Sequence, residues 1–207
     1  MAHVTAAERR PQLIAAAIEL MAREGVAAGS TRAIAAELGV AQATVHYTFG
    51  TKADLYRAVL ETLTGDLLAG VRQAIEGADG LEEALRLTVD TIWADLSDRP
   101  ELNLLWLELV VLSLRTPELR EVVERYHRSL ADVAAGVLRD IARRGGQEYA
   151  VPPEELAAFL LSGLDGLCLG AVVQGTGPGP ATRRALDQLV TATAALAFGP
   201  GGARREG

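Results

Sequence analysis

Cysteine and lysine are almost missing: Cys168 and Lys52 are the single examples of each in 207 residues, and aromatic residues make up only 4%. One cysteine excludes an internal disulfide, so the chain is not a small secreted domain held by bridges, and a reducing compartment fits it. The three histidines, at positions 3, 46 and 127, are far apart, and no HExxH, CxxC, GxSxG or phosphate-cradling glycine loop occurs. No metal, cofactor or catalytic constellation is therefore expected, and the chain does not read as an enzyme. The start, MAHVTAAERR, lacks an apolar run before its charges, and the longest apolar stretches, near 102–114 and 156–173, carry Asn, Glu or Asp. Neither a signal peptide nor a membrane span is expected, and the location implied is cytoplasmic.

Positive charge is also scarce. A net charge of -7 excludes a protein that coats nucleic acid indiscriminately, because such affinity needs many phosphate-neutralising cations. The deficit is uneven: residues 1–60 hold six basic against five acidic residues, the remainder fourteen against twenty-two. If nucleic acid is bound, the N-terminal part must bind it.

What is abundant is Ala, Leu, Glu and Arg, with apolar residues recurring at three and four and no β-branched alternation. This pattern predicts an all-α protein. A first helix, starting near Arg10 because of Pro11, carries Leu13, Ile14, Ala17, Ile18 and Met21 on one face and stops at Gly25. Thr5-Ala-Ala-Glu8 also has the form of a capping box. Two short helices follow over 31–38 and 42–48. Thr51-Lys-Ala-Asp54 then opens a long helix to about 76 on which Leu55, Val59, Leu63, Leu67, Val71 and Ile75 fall a turn apart.

Further helices are expected over 80–97, 101–114 and 117–144, with breaks at Pro100, Pro117 and Gly145-Gly146. Pro152-Pro153-Glu154-Glu155 starts another, apolar nearly all round. After the GTGPGP break comes a last amphipathic helix with Leu186, Leu189, Val190, Thr193 and Leu196 on one stripe, then a disordered tail at 200–207.

Within 31–48 the spacing has a mechanical meaning. Ala35 is small where two helices would cross, Gly39 supplies the positive φ of a turn, and Ile34, Leu38, Val40 and Val45 plug the angle between them. This is a helix-turn-helix whose second helix would enter a major groove. Ile34-Ala35, Gly39-Val40, the run VHYTFGTK and Leu55 resemble the DNA-binding domain of the TetR family of transcriptional regulators, and Leu164-Asp165-Gly166-Leu167 is similar to a stretch of the same family.

The resemblance implies an N-terminal three-helix domain over 1–51 and a larger helical ligand-binding and dimerisation domain over 52–199. It implies a repressor, homodimeric through its last two helices, released from a palindromic double-stranded DNA operator by a small-molecule effector. It places Gln42, Ala43 and Thr44 at base edges, where a Gln amide can pair with adenine and methyl groups can touch thymine. His46, Tyr47 and Lys52 would hold phosphates, together with Ser30, Thr31 and Arg32 at the start of the preceding helix. Phe49 reads as core; for Tyr47, core packing and phosphate contact both remain open.

Three positions depart from the family pattern. Ala41 stands where a hydroxyl cap is usual, His46 replaces an aromatic and Thr48 a histidine. They motivate a competing reading, a helical ligand-binding or interaction module without DNA recognition.

In the remainder, Trp93, Trp106, Leu109, Ser113, Tyr126, His127, Asp165 and Cys168 are candidate pocket residues, because helical bundles line ligand sites with apolar side chains and a few polar anchors. The tryptophans suit a core better than a pocket, His127 suits an exposed or hydrogen-bonded place better, and Glu108 could simply face water. Asp165, in an apolar helix, must find a partner, reach solvent or go neutral; the partners open to it, in order, are the end of a neighbouring helix, a second copy and a ligand. Gly163, Gly166 and Gly170 permit close helix approach.

Overall fold

Helix-forming residues in the pattern above give nine α-helices and no strand among the described residues, which are 6–174 and 179–199 of the computed structural model. They are α1 (Ala6–Glu24), α2 (Thr31–Glu37), α3 (Gln42–Phe49), α4 (Lys52–Ile75), α5 (Leu81–Asp98), α6 (Pro100–Ser113), α7 (Pro117–Gly145), α8 (Pro153–Gln174) and α9 (Pro180–Phe198), with a 3-10 turn at Val26–Ala28. The Thr5 cap, most of the 175–180 break and the 200–207 tail lie outside the described residues.

Two details differ from expectation. α1 begins at Ala6, ahead of Arg10, with Pro11 inside it; so near the start, a proline removes one hydrogen bond and leaves the rest of the helix intact. The 3-10 turn was not legible, because Val-Ala-Ala between two glycines carries no propensity for it.

The chain divides into two compact units, each with its own core. The first comprises the residues up to Asp66 and Glu101–Arg125. Its core joins Leu13, Ala17 and Met21 of α1, Ile34 and Ala35 of α2, Val45 and Phe49 of α3, Leu55 and Val59 of α4, and Leu105 and Leu109 of α6. The turn after α1 is clamped by side chains distant in sequence. The Val26 N–H donates to Glu108 Oε2 at 2.8 Å, and the buried Tyr56 hydroxyl donates to the Val26 carbonyl at 3.1 Å. Glu108 thus serves the N-terminal helices instead of facing water.

The second unit comprises Leu67–Pro100 and the residues from Tyr126 onward. Val89 of α5, Leu138 of α7, Leu156 and Leu160 of α8 and Leu186 of α9 meet in its core. α8 and α9 pack closely at Gly163, where an added Cβ would lie 2.5 Å from Leu189 Cδ1. Arg183 of α9 is paired with Asp90 of α5 at 2.5 Å and with Asp187, its guanidinium 5.9 Å from the Trp93 ring centre.

α8 is long and apolar enough to cross a membrane by length and composition. Its Leu156, Ala157, Leu160, Leu164 and Ala171 are nonetheless buried within the unit, and Asp165 interrupts its outer face.

Glu108→Ala leaves the Val26 N–H without its acceptor and should lower unfolding stability by about 1–3 kcal/mol in chemical denaturation. Glu108→Gln keeps an acceptor oxygen and should lose less.

Candidate nucleic-acid interface

The α2–α3 hairpin is set by small and rigid residues. Gly39 has φ of 61°, a conformation costly for other residues, and Val40 N–H returns to the Ala35 carbonyl at 2.9 Å. Ile34, Ala35 and Val45 are buried at the crossing. The expected helix-turn-helix is therefore present, and its plug residues occupy the expected places.

Ser30 caps α2, its hydroxyl oxygen accepting the Ala33 N–H at 3.2 Å. Ala41, the N-cap of α3, supplies no side-chain cap, a deficit of about 1 kcal/mol relative to a hydroxyl there. Packing compensates: Val45 and Phe49 anchor the inner face of α3 in the core. Arg10 of α1 secures the far end of the helix, donating to the Thr48 carbonyl at 3.3 Å and lying 5.1 Å from the Phe49 ring centre. Sequence reasoning missed Arg10, since its partners lie nearly forty residues away and no local spacing reveals them.

The outer face of α3 carries Gln42, Ala43, His46 and Tyr47, all exposed. Tyr47 is 90% exposed, which leaves no core role for it. Thr44 and Thr48 are half-buried, and the Thr48 hydroxyl donates to the Thr44 carbonyl at 2.8 Å. Thr48 is thereby occupied within its own helix. Ser30 and Arg32 are exposed at the start of α2, where Thr31 is half-buried and accepts a hydrogen bond from Gln42 Nε2 at 3.1 Å.

Lys52 is exposed at the start of α4, its Nζ 5.2 Å from the Tyr56 ring centre. Beside it, Thr51 Oγ1 accepts the Asp54 N–H at 3.1 Å and donates to Asp54 Oδ2 at 2.6 Å. This forms the expected cap with the side-chain hydroxyl as donor. The hydroxyl bond, with Arg57 and Arg10 nearby, holds the Asp54 carboxyl below its ordinary range.

The candidate effector residues divide between the two units. Trp106, Leu109 and Ser113 belong to the first: Trp106 is half-buried, Leu109 is fully enclosed in the core, and Ser113 is enclosed with its hydroxyl donating to the Val110 carbonyl at 2.6 Å. Trp93, Tyr126, His127, Asp165 and Cys168 belong to the second.

Four of these five interact. Tyr126 and His127 stack edge to face with ring centres 5.6 Å apart. Burial, reinforced by Asp165, Cys168 and Asp95, pushes the Tyr126 phenol up to about 12. Burial likewise raises the Cys168 thiol to about 11, with Asp165 and Asp95 adding to it, so the thiolate is suppressed. Asp165 and Asp95 are exposed on one side yet lose enough water on the other to raise both carboxyls, against opposition from His127 and Arg99 respectively. Asp95 was missed in the sequence, where it resembles any acid on the polar face of an amphipathic helix.

Comparison with known proteins agrees with this geometry. Residues 13–59 match the bacterial regulatory proteins of the tetR family, and residues 81–197 match the C-terminal domain of BetI-type transcriptional repressors. The HTH-type nicotine-responsive transcriptional repressor HdnoR of Paenarthrobacter nicotinovorans is 28% identical over 168 residues, 80% of this chain and 84% of that one. The HTH-type transcriptional regulator BetI of Agrobacterium fabrum is 29% identical over 156 residues, 75% of this chain and 74% of that one. Among solved structures, the multidrug binding protein EbrR complexed with imidazole superposes with a TM-score of 0.64 at 28% identity, covering 90% of this chain and 94% of that one. Regulators rather than enzymes populate these matches. With its exposed recognition helix and its BetI-type C-terminal half, the chain belongs to the TetR family of DNA-binding transcriptional regulators.

Proposed function

We propose that the protein is a homodimeric, cytoplasmic repressor that binds a two-fold symmetric operator and leaves it when a small molecule is bound. The observation that carries the reading is the polarity of α3: Val45 and Phe49 lock one face in the core while Gln42, Ala43, His46 and Tyr47 stand outward beside Lys52 and the start of α2. In this reading Gln42, Ala43 and Thr44 meet base edges, and Ser30, Thr31, Arg32, His46, Tyr47 and Lys52 meet phosphates. Residues 1–51 take the DNA-binding role and 52–199 the effector and dimer roles. The scarcity of cations leaves affinity per half-site to a few contacts, with a shallow salt dependence.

Dimerisation falls to α8 and α9. Phe159, Leu169 and Val173 of α8 and Leu196 of α9 expose apolar surface, and an added Cβ at Gly166 or Gly170 would touch nothing, leaving room for a second copy's helices. Operator release follows if the effector prefers a dimer whose recognition helices are wrongly spaced, and the shift cannot exceed that preference in free energy. α4, which begins at Lys52 and gives residues to both compact units, is the covalent carrier of that change.

For the effector we infer an apolar organic cation. Asp95 and Asp165 are two partly dehydrated carboxyls beside Tyr126 and Cys168, and a cation would relieve their desolvation. The nicotine response in the name of the HdnoR relative points the same way.

Three outcomes are expected. In gel shifts against the DNA upstream of its own gene, Gln42→Ala with Lys52→Ala weakens binding at least about tenfold; indifference to the pair of changes favours the interaction module without DNA recognition. Leu169→Glu raises the dimer dissociation constant by about two orders of magnitude in sedimentation equilibrium.

The third concerns charge. Both raised carboxyls destabilise the folded state once ionised, so their contribution to stability is lost as pH rises through their folded values. Asp165→Asn should therefore raise the thermal midpoint at pH 7 and flatten its decline between pH 4 and 7. With nicotine as the probe, the same change should reduce the ligand's effect on operator affinity.

A further inference from the structure

Gln42 opens α3, and its side chain is not free. Its Nε2 donates to Thr31 Oγ1 at 3.1 Å, joining the first residue of α3 to the first residue of α2 across the hairpin. Gln42 is exposed and Thr31 half-buried, so the anchor is the more enclosed partner. A hydroxyl has one hydrogen to give and two lone pairs with which to accept. Thr31 can therefore hold the Gln42 amide and still donate its own hydrogen outward to a phosphate.

We propose that Thr31 is a specificity-setting positioning residue, its hydroxyl turning the Gln42 amide so that α3 offers a base edge one N–H donor beside one carbonyl acceptor. The inference rests on the reading that α3 enters a major groove. With one Nε2 hydrogen spent on Thr31, the amide retains the other hydrogen and Oε1. In the major groove adenine presents the N7 acceptor beside the N6 donor, a match for that pair, whereas guanine presents two acceptors, N7 and O6. Oε1 held against O6 is a repulsive contact, so the same bond that favours adenine rejects guanine. A free glutamine can turn its amide about its last bond to suit either environment and must be ordered on binding; one held by Thr31 is already ordered. The role differs from that of a phosphate anchor, which strengthens binding to every sequence alike.

The test uses the full-length protein and a duplex library randomised over about 30 base pairs, long enough for two half-sites on successive turns, with bound DNA sequenced for the wild type, Thr31→Val, Thr31→Ser and Gln42→Ala. The wild type should enrich a symmetric motif with one strongly adenine position per half-site, and Gln42→Ala should make that position alone degenerate. Thr31→Val, nearly the same shape without the hydroxyl, should keep the rest of the motif while the adenine-to-guanine ratio there falls about fivefold or more; Thr31→Ser should restore it.

An equal loss of affinity for all sequences in Thr31→Val, with that ratio unchanged, makes Thr31 a phosphate anchor only and overturns the proposal. So does guanine at the position that Gln42→Ala erases, or a motif that Gln42→Ala leaves untouched. Failure of the wild type to enrich any motif overturns the proposal together with the DNA-binding reading on which it rests; a motif insensitive to Gln42 overturns the proposal alone.

Discussion

Val45 and Phe49 insert into the core formed with α1, α2, α4 and α6, and whatever α3 does to DNA depends on that insertion. Eight residues are too few to hold a helix in water, because nucleation costs more than so few hydrogen bonds return. α3 also lacks a side-chain cap. Burying a valine and a phenylalanine contributes about 1.5–3 kcal/mol each, more than the missing cap removes. The recognition helix is thus a product of packing, and its outer residues are not needed in the core. Their exposure is what leaves Gln42, Ala43, His46 and Tyr47 available to a partner.

The same unit shows how few contacts hold a reading head in place. Arg10 holds the end of α3, Glu108 and Tyr56 hold the turn that follows α1, and Arg23 of α1 pairs with Glu37 of α2 at 2.5 Å. The Arg23–Glu37 pair is exposed and adds little energy, but the Glu108 bond satisfies a backbone N–H at a place where Gly25 has already turned the chain. Through Glu108, a helix more than eighty residues downstream becomes part of the N-terminal domain's framework. α6 thereby joins the first compact unit although its sequence neighbours on both sides run into the second.

In the second unit the balance is reversed: apolar surface is plentiful and charge is scarce where it matters. α8 has enough hydrophobic length for a membrane, yet it divides its surface between a buried face and an outer stripe broken by Asp165. A helix of this kind needs another partner, and the proposed second copy supplies one. The carboxyls of Asp95 and Asp165, the Tyr126 phenol and the Cys168 thiol all sit where burial opposes their charged forms. Burial there suppresses the thiolate that nucleophilic chemistry needs, and in the proposed reading it is a cationic effector that relieves the two carboxyls.

Helix type and order, the Gly39 turn, the plug residues and the Thr51 cap were legible in the sequence, because each rests on local spacing; the outward placement of Gln42 and His46 was implied only by the family resemblance. Periodicity of three and four fixes which face of a helix is apolar, and a glycine at a required positive φ marks its own turn. The 3-10 turn, the clamp of Glu108 on Val26, Arg10 on α3, the link from Gln42 to Thr31 and the nearness of Asp95 to Tyr126 and Cys168 were decided by tertiary structure. Apart from the turn, each joins groups eleven to eighty-two residues apart or on separate helices, and a single sequence records what a side chain can bond to but not what folding brings within its reach.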